Sequence, residues 1–94
     1  MASSKISRTD RITIFNVGNG TPVTITLPKV GVYILTGVLY NGTEVAIIRA
    51  NTEGTYIHTL HSDSHMSFVS NNPGEVTVSN SSSTNLRCSL IDIY

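Results

Sequence analysis

All three histidines of the chain fall in one stretch, His58-Thr59-Leu60-His61-Ser62-Asp63-Ser64-His65. If the backbone stays extended through residue 65, His61, Asp63 and His65 share one face at two-residue spacing. Two imidazoles and a carboxylate so arranged can ligate a divalent transition metal. The same histidines can also give a pH response. Against both stands a plainer reading, a solvated polar turn at a loop tip. Hydrolytic chemistry has less support. No G-x-S-x-G elbow occurs, and Asp10, Glu44, Glu53, Asp63, Glu75 and Asp92 show no motif-like pairing. Cys88 lies between Leu86 and Leu90 in period two, the place of a core thiol rather than a nucleophile. Gly18-Asn19-Gly20 reads as a turn, since no helix follows to cradle a phosphate. No catalytic residue, no bound cofactor and no enzyme activity are expected. A glycan surface is a further candidate. Asn51, Thr52, Glu53, Asp63, Asn80 and Ser81 place donors and acceptors for hydroxyls in loops, and Tyr40 and Tyr56 offer rings for stacking. Ordinary turn chemistry selects the same polar residues.

The elements that must position these groups are strands. The 94 residues carry 12 Ser, 12 Thr and 8 Asn, with 9 Val and 10 Ile, while six Lys+Arg balance six Asp+Glu. A chain of this length is one domain. A single Cys excludes a disulfide scaffold. Neutral charge without a basic block predicts no nucleic-acid partner, and short apolar runs predict no membrane insertion. Turn signals recur about every ten residues, and nothing keeps a helical period, which is the pattern of an all-β sandwich. Eight short strands are predicted, over 11–17, 23–27, 31–40, 44–50, 55–61, 66–70, 75–79 and 86–93. Asn41-Gly42 predicts a type I′ hairpin turn with positive φ at both central residues. Residues 1–10 read as a flexible N-terminal arm without the apolar core of a secretory signal, and 11–94 as a single β-sandwich domain. The sequons at Asn19, Asn41 and Asn80 read as turn chemistry.

Three strands are apolar on both sides. In 31–40, Val32, Ile34, Val38 and Tyr40 oppose Tyr33, Leu35 and Leu39. In 44–50, Val45 and Ile47 oppose Ala46 and Ile48. In 86–93, Leu86, Cys88 and Leu90 oppose Ile91 and Ile93. A two-layer sandwich buries one face of each sheet. Leaving the other faces wet would forfeit about 1.5–3 kcal/mol per large side chain. A homo-oligomer covers them, and a closed ring avoids polymerisation. The alternative is a strongly coiled or closed barrel that hides both faces internally.

The run GVYILTGVLYNG (31–42) with EVAIIRANTEGTY (44–56) resembles the middle hairpin of the short jelly-roll head domains of bacteriophage tail fibres and spikes. The stretch EVTVSNSSSTNLRCSLIDIY (75–94) resembles their end. Similar organisation occurs in C1q- and tumour-necrosis-factor-like trimers. The resemblance implies an antiparallel, jelly-roll-like β-sandwich that forms a homotrimer. It also implies a non-enzymatic structural protein of the virion, for capsid or tail decoration or receptor attachment. It places Val32, Ile34, Ile91 and Ile93 at the contact between subunits, with other virion proteins or a host-surface glycan as partners. Fibre heads follow a long shaft, whereas about ten residues precede the first strand here. That suits a small decoration or collar protein, or an excised head. The reading from a different class is a small carbohydrate-binding, lectin-like module.

Overall fold

The structure, a computed structural model, describes residues 4–7, 11–27, 30–70 and 72–93. Among them are nine strands and no helix: β1 (Ser4–Ser7), β2 (Ile12–Val17), β3 (Val23–Thr26), β4 (Gly31–Leu39), β5 (Gly42–Asn51), β6 (Gly54–Ser62), β7 (Met66–Val69), β8 (Glu75–Asn80) and β9 (Leu86–Asp92). They form a four-stranded sheet, β1-β3-β8-β7, and a five-stranded sheet, β2-β9-β4-β5-β6. The chain is an all-β sandwich. Every pairing is antiparallel except β1 with β3.

Strand β1 lies inside the segment read as an arm. Its one large apolar residue, Ile6, packs against the core, and Lys5 forms an ion pair with Glu75 of β8. Four residues with one apolar side chain carry too little periodicity to announce a strand. The other strands fall where expected, with shifts of one or two residues at their ends. First-with-last nesting of a jelly roll is present, with β2 on β9 and β3 on β8. It stops there: β4 pairs with β9 and β5, so β4, β5 and β6 make a meander.

Alternation decides which side chains go inside. Val23, Ile25, Val76, Val78 and Met66 of one sheet meet Val17, Tyr33, Leu35, Ile48, Leu86 and Leu90 of the other, all buried. A glycine sits in the middle of β4 for the same reason. A Cβ on Gly37 would lie 2.9 Å from Met66 Sδ across the core and 3.1 Å from Leu86 Cδ1. The β4–β5 turn differs from its expected form. Leu39 pairs with Gly42, so Tyr40 and Asn41 are the central residues, and neither has positive φ. Gly42 is needed for space, since a Cβ there would lie 2.7 Å from the His65 ring.

Candidate functional site

The loop following β6 removes the premise of a metal site. Strand β6 ends at Ser62, and Ser64 turns the chain with φ +68°. His61 and Asp63 still meet at 3.3 Å, but His65 turns toward Gly42. Among the described residues no group of three His, Cys, Asp or Glu side chains is arranged to hold a metal ion. The reason is Glu44, a residue only 1% exposed. It accepts hydrogen bonds from Ser62 Oγ at 2.7 Å and from the amides of Asp63 at 2.8 Å and His65 at 3.3 Å. The loop is wrapped around that carboxyl group and cannot stay extended. Asp63 in turn accepts from the Thr43 amide at 2.7 Å. That bond, then the His61 side chain, holds its carboxyl below the usual 3.8.

The candidate glycan residues do not share a surface. Antiparallel register sends the 51–54 turn to one end of the sandwich and the 62–65 and 81–85 loops to the other. Asn51 spends its side-chain oxygen on the Glu53 and Gly54 amides. Asn80, expected to face a ligand, is instead buried. Its Nδ2 donates to Val17 O and Thr84 O, both at 2.8 Å, and its Oδ1 accepts from the Ser82 amide. An Asn at that corner satisfies backbone groups of β2 and of the loop after β8 at once. Ser81 is exposed and bonds the carbonyls of Ser64 and His65. Tyr56 lies under the Arg49 guanidinium at 4.9 Å, while Tyr40 is 89% exposed. Cys88 is buried, which pushes its thiol up to about 12.

A more extensive feature is the outer face of the five-stranded sheet. The inward residues Leu86, Cys88 and Leu90 of β9 fix Arg87, Ser89 and Ile91 as outward. By the same alternation β4 turns out Val32, Ile34, Thr36 and Val38, and β5 turns out Val45, Ile47 and Arg49. Strand β2 adds Ile12, 59% exposed, and Ile14, 61% exposed. Cross-strand pairing knits these together, with Ile12 beside Ile91, Ile91 beside Ile34 and Ile34 beside Ile47. Ile93, 48% exposed, stands at the rim, its amide bonded to Val32 O. All four residues expected at a subunit contact thus lie on one outward face. Ile12 and Ile14 belong with them and were not singled out from the sequence. Their phase opposes that of Phe15 and Val17 in the same strand, so the run showed no preferred side.

Two properties suit this face to being covered. The polar pair at its centre, Thr36 and Ser89, is hydrogen-bonded hydroxyl to hydroxyl, so drying it leaves no bare pair of dipoles. It is also not smooth. A hollow of about 130 Å³ opens over Thr36 and Ser89, bounded by Ile14, Val38 and Arg87, and another of about 290 Å³ lies by Arg11, Ile12, Ile91 and Asp92. The opposite sheet is different. Its outward residues include Lys5, Thr24, Thr26, Glu75, Thr77 and Ser79, with Thr24 and Thr77 hydrogen-bonded at 2.9 Å.

No family model, curated protein or solved structure matches this chain. The face and the loops therefore carry the functional argument.

Proposed function

We propose that this protein is a non-enzymatic structural component of a virion that works as a homo-oligomer. In that role it decorates the capsid or tail, or presents an attachment surface to a host glycan. One observation carries the self-association: apolar side chains from β2, β9, β4 and β5 gather on a single outer side of the sandwich, around the hydrogen-bonded pair Thr36 and Ser89. Five strands spaced ~4.8 Å apart and about seven residues long at ~3.3 Å each give that face roughly 24 by 23 Å. An apolar patch of several hundred Å² rimmed by polar residues marks an interaction site. The virion setting draws its support from the likeness of residues 31–56 and 75–94 to phage head domains.

Sedimentation equilibrium at micromolar concentration tests the assembly. A mass that is a multiple of 10.1 kDa is expected. A clean 10.1 kDa species overturns it. Binding to emptied phage capsids tests the setting. A second reading, a monomeric carbohydrate-binding module, draws on the ring of Tyr40 standing free at the loop end. Selective sugar binding by a monomer on a glycan array would favour it.

A further inference from the structure

We infer that the self-association is a two-fold pairing, face to face, in which Ile14 of each copy fills the hollow over Thr36 and Ser89 of the other. The inference rests on the homo-oligomer reading and specifies its geometry.

The first argument is a count of surfaces. A ring of three or more copies uses two different patches on each subunit, whereas a two-fold pair uses one patch twice. Among the described residues one sheet has an apolar outer face, and the other presents Thr, Ser, Lys and Glu. The second sheet turns out one exposed large aliphatic residue among the described ones, Val69, which pairs with Thr77. One patch is what a two-fold requires.

The second argument is shape. A self-complementary patch must contain both a projection and a recess. Ile14 projects from the edge strand β2. The hollow beside it, about 130 Å³, is floored by small Thr36 and Ser89 on β4 and β9. That is close to the ~150 Å³ that accepts a benzene-sized group in an apolar cavity. An axis lying between the ridge and the recess exchanges them, so both contacts form together.

The third argument is desolvation. Burying the recess costs little where its two hydroxyls already bond one another. Of the cations of this face, Arg49 and Arg87 lie on separated strands, β5 and β9, with β4 between them, and Arg11, at the rim beside Ile12, donates to Asp92 O at 3.3 Å. Arg49 is engaged by the Tyr56 ring and donates to His58 Nε2 at 2.8 Å. Arg87 borders the hollow, where its stem can lie along the incoming side chain while its head reaches water.

The test uses Ile14→Cys and Thr36→Cys as separate full-length proteins, treated with a short bis-maleimide alone and mixed. Both side chains point outward, so both variants should fold, and Cys88 is buried from the reagent. A two-copy native mass, with a cross-linked pair formed in the mixture and absent from the Thr36→Cys protein alone, is the expected result. Ser89→Phe, which fills the hollow, should weaken pairing at least tenfold while circular dichroism keeps the parent's β signature. A three-copy mass, or a two-copy mass with no cross-link in the mixture, overturns the two-fold inference and leaves the homo-oligomer standing. A single-copy mass at every concentration overturns both.

Discussion

Glu44 shows how one side chain shapes a loop. Its buried carboxyl group gathers a hydroxyl and two amides from residues 62–65, and removing it orphans those donors. Glu44→Ala should cost about 2–4 kcal/mol, read from urea midpoints, since each buried unsatisfied donor costs ~1–3 kcal/mol. Asn80→Ala, which strips partners from Val17 O, Thr84 O and the Ser82 amide, should cost about 1–3 kcal/mol by the same reasoning. Asp63 adds a pH signature. Its carboxyl is held below 3.8 in the fold, so its stabilisation is complete above that value and is lost as pH falls below it. Asp63→Asn should flatten that part of the acid-unfolding curve. An unchanged curve would mean that the Thr43 bond contributes nothing. Cys88, with its thiol raised to about 12, should resist maleimide in the folded protein and react at once in urea. Such roles were hidden in the sequence. Glu44, Asn80 and Asp63 look like ordinary surface polarity, and only the fold reveals that Glu44 and Asn80 are enclosed.

At the scale of elements, alternation was informative and turn chemistry less so. Period two was readable in β3, β4, β5, β8 and β9 because each turns a run of apolar residues to one side. It failed in β2, where Ile12 and Ile14 compete in phase with Phe15 and Val17, and in β1, where four residues are too few. Asn41-Gly42 marked the right hairpin for a reason that does not operate: the glycine makes room for His65 instead of supplying positive φ. The same principle of space governs β4. Gly37→Val should cost about 1–3 kcal/mol by overpacking Met66 and Leu86, with a loss of thermal midpoint as the readout.

For the whole molecule, the two-sided strands were the legible part of the candidate site. Spacing put Val32 and Ile34 on one side of their strand and Ile91 and Ile93 on one side of theirs, and the likeness to phage head domains brought the four together; the pairing of β4 with β9 sets Ile34 beside Ile91. What spacing could not supply was the polarity of the second sheet's outside. That contrast distinguishes a molecule with one sticky side from one with two. Ile91→Asp and Ile12→Asp should each reduce the native mass while circular dichroism keeps the parent's β signature, the thermal midpoint falling only as the lost association requires. Loss of fold in both would mean that this side supports the sandwich itself.

Leu60 has no partner opposite it where β6 runs beside β5: His61 pairs with Val45 and Thr59 with Ala46. The extra residue kinks the outermost strand, and a kinked border is a poor template for a foreign strand to extend. Sideways growth into fibrils is therefore disfavoured at this border. Deleting residue 60 would straighten the border, and the shortened chain should then acquire thioflavin-positive aggregation that the parent lacks.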